Sequence, residues 1–395
     1  MANRYAQLIR TRGGPGFSAA AFFGRLPLSM GGIALVLLVV SYTDSYGVAG
    51  TVDATWALCG AFASPLIGRL VDRRGQSRVV GPQLVVHVAF VVALVALVVG
   101  GAPQWTWYVA AAISGAALPA VGSLVRTRWT YVLGAGPLIR TAYSWESVVD
   151  EFIFVIGPPA ATICSVGLGA AQAVLFTMLL GAGGTTALIA QRRTEPPPSG
   201  LQRRTGPAVW RRPGIPPLLA TMAVLGGVFA GIEVAVIALA RSEGQTATAG
   251  LVLAGWSLSS MVAGLVVGGL HRNPPLGRQL LVSTVVMSLL LLPLPMTTGL
   301  TPVAVLLLLG GFAISPALIA GFQLVDQLVP TEQLTEGLTW IFAALSLGFA
   351  LATALSGIVV DRSGPVAGFW VGIVAALLAT LMALLGQRTF RPQPA

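Results

Sequence analysis

The run from Trp145 to Pro159 (WESVVDEFIFVIGPP) sets three carboxylates, Glu146, Asp150 and Glu151, in apolar surroundings that continue to Leu168. On a helix turning about 100° per residue, Glu146 and Asp150 share a face and Glu151 sits a quarter-turn round. An acid near the centre of a bilayer costs about 2.5–3.5 kcal/mol on insertion scales, so these groups must face protein or water. Arg25 stands in another apolar stretch, at the same depth by residue count, roughly 12–14 Å from the end of its span. An ion pair between Arg25 and Asp150 or Glu151 fits this spacing. It could be structural, or it could be a switch whose acid charges and discharges with protons. Glu146, nearer the end, reads as an interfacial anchor.

A second lone acid, Glu233, lies in the glycine-rich stretch Gly226 to Val234, where small residues allow a cavity wall; it suits substrate or proton contact. Asp53 is shallower and within reach of the outer water. Asp326, Glu332 and Glu336 read as dipole partners around a helix N-terminus. Arg126 and Arg128 close an apolar span and mark its inner surface, with Arg126 able to turn toward Asp72 or Glu146. Trp256 and Trp340 could stack on an aromatic substrate or simply pack. Cys59, Cys164, His87 and His271 stand singly, so no metal spacing and no disulfide framework is expected. No cofactor is expected either. A phosphate-binding loop needs a lysine, and the chain has none, so ATP is not the expected driver.

These residues need a membrane scaffold. Of 395 residues, 55% are hydrophobic and 9% are charged, against about 25% charged in soluble domains. Cutting at charges, Gly/Pro clusters and lengths of about 20 apolar residues gives twelve spans. They fall near 18–41, 47–69, 79–100, 105–126, 142–166, 168–190, 215–240, 247–270, 278–297, 300–323, 333–360 and 365–387. The net charge of +10 comes from arginines in short loops, a pattern that faces anionic lipid rather than nucleic acid. With the N-terminus inside, only Arg241 and Arg362 fall on the outer side, so both termini are expected in the cytoplasm. Tyr42, Tyr46, Trp105 and Trp107 then read as outer-interface anchors, and Trp129 and Trp210 as inner ones.

The chain divides into an expected six-span bundle over 1–190, a Pro/Arg-rich tether over 191–214, and a second six-span bundle over 215–395. The halves echo each other: SGAALPA around Pro119 in span 4 parallels GFAISPA around Pro316 in span 10, and Tyr143 to Trp145 parallels Leu338 to Trp340. Pro119, Trp256, Pro316 and Trp340 are the expected lining of a central cavity.

After span 2 comes Gly68-Arg-Leu-Val-Asp72-Arg73-Arg-Gly75, with Arg78 three residues on. Gly68 allows close helix packing, Gly75 a tight turn, and Asp72 with the arginines a charge latch on the cytoplasmic side. This resembles the signature of the major facilitator superfamily in the loop between spans 2 and 3. The resemblance implies an all-helical fold of two pseudo-symmetric bundles that rock about a midplane cavity. A second copy of the spacing, Gly357 to Gly364 with Asp361 and Arg362, falls outside and reads as a helix ending or as evidence against the later span boundaries. Gly157-Pro158 is similar to the core of the antiporter motif of this superfamily's drug exporters, although Ile153, Ala161 and Thr162 replace its other glycines; a proline kink is the other reading.

The expectation is a non-enzymatic, monomeric transporter in a bacterial inner membrane. It would export a small amphiphilic or aromatic compound in exchange for protons by alternating access. An importer or facilitator of a sugar, organic acid or nucleoside is the alternative within transport. A non-transporting sensor or a lipid-modifying membrane enzyme is the alternative outside it, though the enzyme would need paired acids for Mg²⁺ or a His/Cys nucleophile.

Overall fold

A computed structural model describes residues 2–134, 136, 138–200, 208–270 and 274–390, without the side chains of 2, 3, 46, 246 and 247. Arg203, Arg204, His271, Arg272, Arg391 and the Tyr46 side chain therefore lie outside the described residues. The regular structure described is helical. After a short leading helix α1 (Ala2–Arg10) come α2 (Gly14–Thr43), α3 (Tyr46–Arg74), α4 (Gln76–Val99), α5 (Gln104–Ala116), α6 (Val121–Leu133), α7 (Ile139–Leu168) and α8 (Ala170–Ala190). The second half holds α9 (Ile215–Ser242), α10 (Thr246–Gly269), α11 (Leu276–Leu291), α12 (Leu300–Gly311), α13 (Ile314–Leu328), α14 (Leu334–Ser363) and α15 (Pro365–Gly386).

Among the described residues, twelve stretches are long and apolar enough to cross a bilayer, matching the twelve expected spans. The chain is a multi-pass membrane protein. Several spans run past their expected ends, because the helix hydrogen-bond ladder continues into polar residues that the apolar run alone does not count. Spans 4 and 10, expected as single helices, are each built from two, α5–α6 and α12–α13. In span 4 the break falls at Pro119, which lacks an N–H and crowds the preceding turn. In span 10 the new helix starts two residues before Pro316, where a proline is tolerated. The second copy of the signature spacing is a helix ending: α14 stops at Ser363, and Gly364, at φ 84°, turns the chain directly into α15. Gly75, at φ 93°, makes the corresponding one-residue turn between α3 and α4.

Close backbone approach holds each half together. Gly184 of α8 lies against Gly24 and Ala20 of α2, and Gly231 of α9 against Gly372 of α15. Apolar side chains cannot prefer each other to lipid tails, so dispersion at such small-residue contacts supplies much of the association.

Two segments depart from expectation. The leading residues, which precede the first expected span, form α1, whose Leu8 is buried and whose Tyr5 hydroxyl donates to the Leu265 carbonyl of α10 at 2.8 Å. Burial pushes the Tyr5 phenol up to about 12. The start of the tether is also pinned. Glu195 accepts the Ser77 amide at 2.9 Å and its hydroxyl at 2.7 Å, serving the N-terminal amides of α4 that have no partner within the helix. Arg128 donates to the Gln191 carbonyl and the Thr194 hydroxyl, each at 2.9 Å. The Ser199 amide and hydroxyl both reach the Asp72 carbonyl at 2.9 Å.

Candidate functional site

The acids of α7 meet two arginines from other helices. Arg25 of α2 contacts Glu146 at 2.6 Å and Asp150 at 2.7 Å, and Arg126 of α6 contacts the other Asp150 oxygen at 2.7 Å. Glu146 and Asp150 share a face, as one helical turn requires, so a single guanidinium bridges them. Glu146 also accepts from the Ser18 hydroxyl and from the Trp129 indole, each at 2.7 Å. Trp145 in turn donates to Ser18 at 3.0 Å. The Glu146 carboxylate is thus fully served inside a membrane core, where an unmatched charge would be costly.

Three readings of the sequence change here. Glu146 is no interfacial anchor: its side chain is 0% exposed. Arg126 does not mark the surface, since α6 continues seven residues beyond it to Leu133 and carries it inside. Trp129 is buried as well, as is Trp107, while Trp105, Tyr42 and Trp210 are exposed. The Arg25–Asp150 pair forms, but Glu151 takes no part in it. The apolar-run rule placed the end of span 4 at Arg126 itself, and of the inward partners open to it, Asp72 or Glu146, it meets neither but Asp150; the run from Arg126 to Leu133 without glycine or proline was the available signal for a longer helix.

Of the four charges, Asp150 alone is partly exposed, with its side chain 19% accessible against 0–2% for Glu146, Arg25 and Arg126. Glu151 points the other way, toward the second half. It accepts from the Ser260 hydroxyl of α10 at 2.7 Å, and Ser260 lies 2.9 Å from Ser315 of α13.

The two halves meet at the arginine-rich face. Asp72 accepts the backbone amides of Thr335 at 3.1 Å and Glu336 at 2.9 Å, capping α14. The reading that set Asp72 against arginines is corrected, because among the described residues no arginine pairs with it. The free amides of a helix start supply the positive end instead. Gly68 lies against Thr339 and Glu336 of α14, where a side chain would collide. Arg73 and Arg78 form no ion pair among the described residues. Nearby, Thr130 bonds Asp326 at 3.2 Å, Thr141 bonds the Gly268 carbonyl at 2.8 Å and Arg140 bonds Gln279 at 2.9 Å. Asp326 lies in the last turn of α13, not at a helix start, and Glu336 lies buried in the first turn of α14. Among the described residues, no hydrogen bond joins the halves at the opposite face. Among the described residues, the halves are bonded at the arginine-rich face and not at the other.

The remaining candidates are dispersed. Gly157 packs against Ser29 and Met30 of α2 within an unbroken α7, so Gly157-Pro158 serves as a contact point rather than a break. Glu233 of α9 is half-buried and makes no hydrogen bond or ion pair among the described residues. Asp53, expected to reach water, instead packs near Gly32 of α2, with Oδ1 buried and unpartnered. Trp256 is 5% exposed and edge-on to Phe229 within the second-half core. Trp340 is half-buried with an unpartnered indole nitrogen. Pro119 is buried, and the Pro316 carbonyl accepts from Gln279 at 2.8 Å. His87 is a packing residue, bonded to the Ser114 carbonyl at 2.8 Å.

Solved structures with this architecture include the human organic anion transporter MFSD10 (TETRAN), with a TM-score of 0.73 at 15% identity over 93% of this chain and 98% of that one. FucP in its outward conformation gives 0.70 at 14% identity over 94% and 97%. A bacterial homologue of the iron transporter ferroportin, in its outward-facing state, gives 0.67 at 16% over 94% and 99%. Comparison with curated protein sequences gives no match. At these identities the likeness is one of fold. Residues 17–310 match the family described as Major Facilitator Superfamily, and with that match over most of its length the chain belongs to the major facilitator superfamily.

Proposed function

We propose that the protein exports a small amphiphilic or aromatic compound in exchange for protons, with Asp150 as the proton carrier. The observation that carries this reading is the exposure of Asp150 alone within the buried cluster. With the arginine-rich face taken as cytoplasmic and sealed, protons in this reading reach the exposed side of Asp150 from outside. A proton arriving there neutralises the bridge between two guanidinium groups, and release follows when the inner face opens. Glu233, half-buried and unpartnered, is the proposed substrate contact. Few polar side chains lie on the spans, and the hydroxyl protons of Ser29, Ser147, Ser259, Thr284 and Ser288 already go to carbonyls three or four residues back. This favours an amphiphile over a sugar. Two of the three matched structures are described with different substrates, an organic anion and iron, so the shared fold transfers no substrate.

Inside-out vesicles energised acid-inside, with a pH dye in the lumen, test the reading as a panel of amphiphilic compounds is added. Compound-triggered alkalinisation is expected in the unmodified protein and in Glu151→Gln, and is lost in Asp150→Asn. Flux of labelled compound with no proton movement would make the protein a facilitator and return Asp150 to a structural role.

A further inference from the structure

All three ion pairs of the buried cluster lie within the first six spans. A change in their charge therefore needs a contact that carries it to the second half. Arg126 supplies that contact. Its guanidinium carbon sits 4.0 Å above the Phe322 ring of α13 and 5.5 Å from the Phe342 ring of α14. The two rings are 5.0 Å apart. One edge of the guanidinium reaches Asp150 at 2.7 Å and another the Gly122 carbonyl at 3.1 Å. Gly122 lets the ring come close, since a Cβ there would lie 3.0 Å from Phe342. A cation over an aromatic face is held electrostatically, and more strongly once desolvated; Arg126 is 0% exposed.

We infer that Phe322 and Phe342 are positioning residues that couple the Arg126–Asp150 pair to closure of the arginine-rich face. The coupling follows from an asymmetry between the two arginines. Arg25 holds both Glu146 and Asp150, whereas Arg126 holds Asp150 alone. When Asp150 gains a proton, Arg25 keeps a counter-ion and Arg126 keeps none. A buried guanidinium without an anion is strongly destabilised and draws in water, and hydration on its ring side separates Arg126 from Phe322 and Phe342. The halves then part where they are now closed. The charged and titratable groups facing Asp150 are Arg25 on α2, Arg126 on α6, and Glu146 and Glu151 on its own helix. The other helices packed on α7 offer Asp326 on α13 and Arg4, Tyr5 and Arg10 on α1; α8 and α10 carry no charged residue.

This inference rests on the alternating-access part of the reading above, and its test needs no substrate. Spin labels at Arg74→Cys and Arg278→Cys, with Cys59 and Cys164 replaced by Ala, report the separation of the halves at the arginine-rich face. Phe322→Leu and Phe342→Leu keep apolar bulk but remove the ring face. Each is expected to raise the open-to-closed ratio roughly fivefold to thirtyfold at neutral pH. Phe342→Tyr, with room at a half-buried position, restores closure. Combined with Asp150→Asn, the leucine changes add little, because the cation they hold has already lost its anion. A pair of labels within one half reports intact folding. Leucine variants that stay closed, or effects that add in full to Asp150→Asn, would overturn the coupling. A distance unchanged between neutral and mildly acidic pH in the unmodified protein, with the ring effects intact, would sink proton exchange and leave the aromatic clamp standing.

Discussion

Arg25 and Glu146, 121 residues apart in sequence, meet at 2.6 Å with side chains 2% and 0% exposed. The pair anchors α2 to α7, and its worth lies in what each charge would cost without the other. Replacing Arg25 with Met should destabilise the protein by about 3–5 kcal/mol, the usual consequence of stranding one member of a buried pair. The double change Arg25→Met with Glu146→Leu should recover much of that loss. Thermal unfolding in detergent measures both, and a double variant no better than the single one would mean that the Ser18 and Trp129 donors dominate the site.

Asp72 caps a helix of the opposite half, an arrangement worth about 0.5–2 kcal/mol when the acceptor is removed. In Asp72→Ala, the Thr335 and Glu336 amides should exchange with solvent deuterium several-fold faster. Asp72→Asn keeps an acceptor and should fall between. Unchanged exchange in the alanine variant would show that packing at Gly68 alone holds the seam.

Gly157 leaves no room for a side chain beside Ser29. Gly157→Ala should therefore push α7 away from α2 and impair transport, and Ser29→Gly should restore it by vacating the space. Transport assayed in the single and double variants decides this. A single variant with full activity would show that the helices have slack at this contact.

Glu195 holds the start of the tether on the first half. Glu195→Ala removes both bonds to Ser77 and should speed proteolytic cleavage near Pro196 to Gly200, with twelve spans intact. A cleavage rate equal to that of the unmodified protein would place the hold on Arg128 and Ser199 instead.

The number of spans was legible in the sequence because insertion into a bilayer is local: about 20 apolar residues bounded by charge suffice. Pro119 and Pro316 could be anticipated as symmetric, though not that span 4 breaks at the first and span 10 just before the second, since a proline can bend, start or end a helix depending on its neighbours. The acid trio was equally plain, because charge in an apolar run has few tolerable explanations. The partners were not. A helix that is apolar nearly all round leaves undecided which face turns inward, so the rotation that brings Arg126 to Asp150 and Glu151 to Ser260 is set by packing against helices far along the chain. Asp72 illustrates the same limit, since the sequence places it beside arginines while its partners are backbone amides more than 260 residues away. The amino-acid sequence by itself determined a twelve-span membrane protein with buried acids. Tertiary structure decided which charges meet and at which face the halves close, because those depend on distances between helices that no local pattern encodes.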